Sequence, residues 1–321
     1  MNYKEIQNKN DSKFLSLVIP VFNEHQSIRK LYSEICQASK DNAVDFEVIF
    51  VDDGSTDGTF KVIEDINSKD KRIKALKFRK NNGKATALAA GFVASKGDII
   101  VTMDGDLQDD PAEIPSLLKK LNQGYDLVSG WKKKRKDPLS KRIPSLVYNK
   151  VTSILSGIPI HDFNCGLKIY RREVIEKLRL YGELHRFIPV LAKWEGFRIG
   201  EVRVHHRKRE FGKTKYGFSR FFKGLFDFMT VIFLTKYMKR PLHFFGIIGL
   251  LTSFSGAGII IYLVILKLKK ISYLSNRPLL FIGVMLLIIG VQFISIGLIG
   301  EMITRTHSRD NNFSISKRLG V

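Results

Sequence analysis

The chain runs to 321 residues and carries 53 Lys and Arg against 31 Asp and Glu, a net charge of +22. That length holds an α/β core of roughly two hundred residues with a substantial remainder, and the basic balance points to a polyanionic partner or surface. The two cysteines, Cys36 and Cys165, stand far apart without metal-ligand spacing, which excludes a disulfide framework or a zinc site and fits a reducing compartment.

Residues 1–13 are polar, lack the apolar run of a signal peptide and are expected to form a disordered tail. From Ser16, an apolar run predicts a strand that ends in a polar turn at Glu24, followed by a helix over 27–38. A second strand over 45–51 ends in Asp52, Asp53 and a Gly-Ser-Thr-Asp turn, where Ser55, Thr56 or Asp57 is placed to cap a helix over 59–67. A third, 73–78, runs into Asn81-Asn-Gly-Lys84 and an alanine-rich helix over 85–94. The fourth, 98–103, leads straight into Asp104-Gly-Asp-Leu-Gln-Asp-Asp-Pro111.

Strands alternating with helices predict parallel βαβ units, and such open sheets bind ligands beyond the carboxyl ends of their strands. Glu24, then Asp52 with Asp53, then Asp104 with Asp106 therefore line one rim. An Asp-x-Asp pair alone is common in solvated turns, but three acidic strand ends are not expected by chance in a chain this basic. Carboxylates one residue apart on a turn can both approach a hard cation, and Mg²⁺ or Mn²⁺ typically bridges such groups to substrate phosphates.

A strand over 126–130 is followed by Trp131-Lys-Lys-Lys-Arg-Lys136, with Lys141 and Arg142 beyond it. Such a run reads as a solvated or lipid-facing patch, each basic residue near an anionic surface contributing about 1 kcal/mol. In a second basic cluster over 205–217, His205 and His206 read as strand-end or surface residues rather than a metal pair, since no third ligand accompanies them. Over 216–238, Phe218, Phe221, Phe222, Leu225 and Phe226 mix with Arg220, Lys223 and Asp227. That is the pattern of an amphipathic helix in the headgroup layer; a surface helix packed on the soluble domain is the alternative.

Residues 242–266 and 279–300 contain no Asp, Glu, Lys or Arg, and each exceeds the ~18 apolar residues that mark a spanning helix. They predict a membrane hairpin. Gly246, Gly249, Ser253 and Gly256 on one helix and Gly283, Gly290 and Gly297 on the other permit close contact, either within the hairpin or between copies in a homo-oligomer. Two spans put both termini on one side. Lys236, Lys239 and Arg240, with Arg305, Arg309, Lys317 and Arg318, favour the cytoplasm, although the connecting loop 267–277 is itself basic. The expected organisation is a tail (1–13), an α/β domain (14–215), an amphipathic juxtamembrane segment (216–240), a hairpin (241–304) and a cytoplasmic tail (305–321).

Pro20-Val-Phe-Asn-Glu24, Val51-Asp-Asp-Gly-Ser-Thr-Asp57, Asn82-Gly-Lys84 and Asp104-Gly-Asp-Leu-Gln108 together resemble, in order, the motifs of the GT-A catalytic domain of inverting family 2 glycosyltransferases. Within that family the chain is most similar to the membrane-bound polyprenyl-phosphate sugar transferases, relatives of dolichol-phosphate mannose synthase. The likeness runs from about residue 15 to beyond Lys215, and the two spans fit it. A GT-A fold, Rossmann-like, is implied.

The resemblance implies that Pro20, Phe22, Glu24, Val51, Asp52, Asp53, Lys84, Asp104 and Gly105 hold the nucleotide. Ionised carboxylates suit this work, since they accept from an imide N–H and from ribose hydroxyls. It implies Asp104, Asp106 and Gln108 as ligands of Mg²⁺ or Mn²⁺, with Gly105 letting the backbone pass close to the ligand. Lys84 either reaches a phosphate or packs its stem over the nucleotide. Lys132 stands where the family has an arginine near the substrate phosphates. Arg209, Gly212, Thr214 and Lys215 align with the pattern Arg-x-x-Gly-x-Ser-Lys, which makes Arg209 and Lys215 phosphate ligands. In the stretch from Ile160 to Arg171, Asp162 and Lys168 fall at acceptor-side positions; Lys168 replaces the usual arginine and keeps the charge without the bidentate fork. His185 and Arg186, in the next matching block, face the acceptor or cap a helix.

The implied catalytic set is thus Asp106, Asp162, Arg209 and Lys215, and the implied acceptor-phosphate set is Lys132, Lys168, Arg209 and Lys215. A hydroxyl acceptor needs a base, for which Asp162 is the candidate. A lipid phosphate is its own nucleophile, and Asp162 then orients Lys168 or the sugar.

The implied function is inverting transfer of a hexose-type sugar from a nucleotide sugar, UDP favoured over GDP-mannose, to undecaprenyl phosphate at the cytoplasmic face of a bacterial inner membrane. The partners are the nucleotide sugar, the polyprenyl phosphate and the membrane, with no nucleic acid. Two alternatives are weaker. A polysaccharide-forming family 2 synthase places a Gln-x-x-Arg-Trp motif ahead of its channel helices; none occurs here. A non-enzymatic basic module for nucleic acid or anionic lipid leaves the acidic rim unexplained. No residue identifies the sugar.

Overall fold

In the computed structural model, which describes residues 14–42, 45–133, 139–178, 180, 184–207, 237, 241–269 and 278–307, the N-terminal unit is built on a mixed sheet. Its strands are β1 (Leu15–Val21), β2 (Phe46–Asp52), β3 (Ile73–Lys77), β4 (Ile99–Thr102), β5 (Leu127–Trp131), β6 (Lys168–Arg171) and β7 (Ile199–Arg203), in the order β3-β2-β1-β4-β6-β5-β7. β2 and β4 are buried along their whole length and β1 nearly so. They lie between two helical layers, which is why their sequences read as continuous apolar runs rather than alternating ones.

α1 (Ile28–Asn42), α2 (Thr59–Lys69) and α4 (Ile114–Leu121) cover one face, where Ile28, Leu31 and Ile35 of α1 pack with Leu17, Ile19, Phe50 and Val101. α3 (Lys84–Ala94), α6 (Arg172–Lys177) and α7 (Ile188–Trp194) cover the other, where Leu88, Phe92 and Ile188 meet Val18, Ile49, Ile100 and Tyr170. α5 (Leu139–Ser156) leads from β5 towards β6. The strands and helices expected over residues 14–131 are present, with α1 reaching Asn42 rather than ending at residue 38. The N-cap of α2 is Gly58, in the left-handed region, rather than Ser55, Thr56 or Asp57; Asp57 stands just before it and its Oδ1 accepts the Thr59 N–H at 3.0 Å.

β1, β2, β3 and β4 are mutually parallel, as the βαβ reading requires. β6 departs from it. It lies antiparallel between β4 and β5, so its amino end falls on the same rim as the carboxyl ends of β4 and β5. The turn before β6, residues 162–166, is thereby carried to the acidic rim.

The chain divides at residues 227 and 228, inside the segment read as juxtamembrane. In the second unit, α8 (Pro241–Leu268) and α9 (Pro278–His307) pack against each other. At 28 residues, α8 is about 42 Å long, enough to cross a hydrocarbon core of ~30 Å. A Cβ on Gly249 would stand 2.7 Å from the Gly290 carbonyl oxygen, and one on Gly256 2.6 Å from that of Gly283. The stripe of small residues is therefore used within the hairpin. Gly246 is the exception, facing its own helix's Leu242. Phe254, Leu251, Phe281 and Met285 point outward and are exposed, a surface suited to lipid rather than water.

Candidate active site

The turns after β1 and β2 are stitched together. Asn23, in the left-handed region at φ 56°, donates its backbone N–H to Ser55 Oγ and accepts the Thr56 N–H on its own Oδ1, each at 2.9 Å. Glu24 N–H reaches Thr59 Oγ1 at 2.9 Å, and His25 pairs with Asp57 at 2.7 Å. Asp53 ties in the loop before α3 by accepting the N–H groups of Asn82 at 2.7 Å and Gly83 at 3.0 Å. Pro20, Phe22 and Glu24 line this corner half-buried. Val51 and Asp52, also expected beside the nucleotide, have buried side chains. Val51 belongs to the core facing α3, and Asp52 accepts the Ser55 N–H within its own turn at 2.9 Å.

After β4 the chain turns on Leu107, which adopts φ 64° and is buried to 1% exposure in the core. A left-handed residue costs about 1–2 kcal/mol, and burying a leucine offsets it with about 1.5–3 kcal/mol. The plug leaves Asp106 and Gln108 on either side of it half-buried at the rim, with Asp106 Oδ1 accepting the Gln108 N–H at 3.1 Å. A Cβ on Gly105 would come within 2.8 Å of Val21, so the glycine lets the loop lie against β1.

Asp104 forms an ion pair with Lys84. Burial alone would raise its pKa, but Lys84, Lys132 and Lys168 outweigh burial and bring it down to about 2, so the carboxylate stays ionised. The Lys84 ammonium is therefore at the rim, paired with Asp104. Asp109, which sequence reasoning passed over as one more acid in an acidic turn, underlies the loop: its Oδ2 accepts the Asp104 N–H at 3.1 Å, and its Oδ1 meets Lys132 at 2.7 Å. Burial pulls the Lys132 pKa down, yet the Asp109 carboxylate carries it above the usual lysine value. Gly166 sits against this pair; a Cβ would stand 2.6 Å from Asp104 Cγ and 2.7 Å from Asp109 Oδ2. The oxygen-only set of Asp104, Asp106 and Gln108 on one turn, with Asp104 held as the anion, fits a hard divalent cation.

Asp162 and Lys168, brought in by the turn before β6, are both buried. Asp162 Oδ1 accepts the Asn164 N–H at 3.1 Å, and the Lys168 ammonium donates to the Cys165 carbonyl. Burial, with Lys84 adding to it, holds Lys168 below the usual lysine pKa. Burial likewise pushes the Cys165 thiol up to about 12, which removes it as a nucleophile. His185 is on the same side. Burial chiefly, then Lys84 and Arg186, lowers its pKa to about 3, so it is a neutral imidazole with a buried Nδ1 that has no hydrogen-bond partner among the described residues.

Past β7 the chain runs back along the acidic loop. His206 bridges Asp109 antiparallel, and Arg207 N–H donates to the Gln108 carbonyl at 3.1 Å. His206 is buried rather than a surface residue, and His205 N–H meets Glu113 at 3.1 Å. Arg209, Lys215 and the amphipathic segment 216–236 lie outside the described residues.

The buried Asp109–Lys132 pair carries a direct expectation. Asp109→Ala strands the Lys132 charge, which for a buried pair costs about 3–5 kcal/mol, and it removes the acceptor of the Asp104 N–H. A purified variant should melt several degrees lower and bind divalent cations more weakly. An unchanged melting temperature would show the pair to be dispensable.

The model of glycosyl transferase family 2 matches residues 16–179. The dodecaprenyl-phosphate galacturonate synthase of Rhizobium johnstonii is 41% identical over 302 residues, covering 92% of this chain and 89% of that protein. Among solved structures, the glucosyl-3-phosphoglycerate synthase of Mycobacterium tuberculosis in complex with Mn²⁺, UDP and glucosyl-3-phosphoglycerate superposes with a TM-score of 0.55 at 20% identity, over 70% of this chain and 80% of that one. Its complex with Mn²⁺ and UDP-glucose gives 0.55 at 21%, over 73% and 83%. At that identity the likeness is one of fold.

Proposed function

The chain belongs to glycosyl transferase family 2, and from that premise we propose that it transfers a sugar from a nucleoside diphosphate sugar to a membrane polyprenyl phosphate, with inversion. One observation carries the reading. The acidic loop 104–108 shares its rim with Lys84, Lys132 and Lys168, in a chain that continues into two helices long and apolar enough to cross a membrane. A phosphate-rich donor and a phosphate-headed lipid acceptor both suit that arrangement. The polyprenyl-phosphate relative supports the acceptor, and the galacturonate in its name favours a UDP-linked donor.

In this reading a phosphate oxygen of the lipid attacks the anomeric carbon, the bond from that carbon to the nucleotide's β-phosphate breaks, and the nucleoside diphosphate leaves. Asp104, Asp106 and Gln108 would hold Mg²⁺ or Mn²⁺, whose charge balances the diphosphate. Lys132, Lys168, Arg209 and Lys215 favour the acceptor phosphate, and charges fixed in advance are worth most where water is excluded. The acceptor is already ionised, so Asp162 acts by orientation rather than as a base. The corner formed by Pro20, Phe22, Glu24 and Asp53 takes the nucleoside. We place the enzyme in a bacterial inner membrane, with the catalytic unit and both termini in the cytoplasm, and invoke no homo-oligomer.

The test is a panel of UDP- and GDP-sugars, a UDP-hexuronate among them, offered to purified protein with undecaprenyl phosphate. Release of nucleoside diphosphate that requires both the lipid and a divalent cation is expected for one donor. Hydrolysis indifferent to the lipid, or no turnover with any donor, sinks the reading.

A further inference from the structure

One side chain at the rim binds no expected ligand yet joins three parts of the catalytic unit. The Arg207 guanidinium meets Glu34 of α1 at 2.6 Å through one terminal nitrogen and Asp110 at 2.7 Å through the other. Its backbone N–H holds the Gln108 carbonyl at 3.1 Å. Asp110 in turn caps the short 3₁₀ helix Pro111–Glu113 by accepting the Ala112 N–H at 3.0 Å. The acidic loop is thus fixed at its far end to the strand leaving β7, and both are fixed to α1.

We propose that Arg207 is a positioning residue, fixing the acidic loop that carries Asp104, Asp106 and Gln108 against α1 and the end of β7. The inference rests on the transferase reading above. Arg207 grips the acidic loop at both Gln108 and Asp110, so losing it lets the turn that carries Asp104 and Asp106 shift against α1. A displacement of about 1 Å at reacting groups can cost on the order of 10²-fold in rate. A planar fork is needed because two carboxylates on different elements must be reached at once. A lysine ammonium, a point charge on a flexible stem, holds one at a time. With no cation between them, Glu34 and Asp110 repel each other, which favours opening of the same joint.

The nucleoside corner lies on other turns, and its hydrogen bonds named above do not pass through Arg207. The loss should therefore be much larger in turnover than in nucleotide binding, of which loop 104–108 carries only a part. In Arg207→Gln, kcat should fall roughly 10- to 100-fold, with nucleotide affinity falling far less and the melting temperature nearly unchanged. Arg207→Lys should lie between that variant and the parent. Hydrogen exchange on the full chain in detergent reads the joint without any assay: peptides covering 105–113 and 204–207 should lose protection in Arg207→Gln and partly regain it in Arg207→Lys.

Unchanged kcat and unchanged exchange in Arg207→Gln would overturn the proposal. A fall in nucleotide affinity and melting temperature matching the fall in kcat would also overturn it, by making Arg207 a general structural support. Failure of the transferase reading is recognised separately, as a parent protein inactive with every donor. The exchange measurement still decides the role of Arg207 in that case.

Discussion

Replacing Asp106 by alanine is expected to abolish sugar transfer while the protein stays folded. The side chain lies half-buried at the rim, outside the core, where it accepts the N–H of Gln108 two residues on. Losing that contact costs about 1 kcal/mol, and Leu107 continues to pin the turn from below. The chemistry has no such support. Asp104 is already shared with Lys84, and Asp109 is committed to Lys132 and to the Asp104 N–H, so neither of these neighbouring carboxylates is placed to substitute. A rate loss of about 10²–10³-fold or more is expected, with an unaltered circular dichroism spectrum. Measured turnover near the parental rate, without added divalent cation, would remove the Asp-x-Asp pair from the mechanism.

Much of this arrangement could be read from the sequence, because parallel strands announce themselves. Val18, Ile49, Val51 and Ile100 are buried in continuous apolar runs, and each run ends in the polar turn that carries chemistry. The rim of Glu24, Asp53 and Asp104 followed from that alone, once the strands were taken as parallel. What the sequence concealed is what depends on tertiary pairing. β6 is only four residues long, and nothing local says that it enters antiparallel between β4 and β5. Without that, Asp162 and Lys168 had no position relative to Asp104. Asp109 and Arg207 hold the site through partners 23 and 173 residues away, Lys132 and Glu34, a distance at which spacing carries no signal.

Ending the chain at Met238 should leave a folded unit that still binds nucleotide, yet transfer to long-chain polyprenyl phosphate in bilayers should collapse. Folding is expected because all seven described strands and both faces of the sheet lie before the division at residues 227 and 228. Nucleotide binding is expected because the proposed contacts, from Pro20 to Gln108, belong to that unit alone. The lost helices pack on each other through Gly249, Gly256, Gly283 and Gly290 and turn apolar side chains outward. What they supply is confinement to the surface where the acceptor resides, an effect on local concentration and orientation that is readily worth on the order of 10²-fold or more. A short-chain, water-soluble polyprenyl phosphate does not depend on confinement, so its transfer should be far less affected. The informative quantity is therefore the ratio of the two losses, measured with one protein preparation and one donor. A large ratio assigns the hairpin to presenting the lipid. Equal losses on both acceptors would mean that the hairpin supports the active site itself.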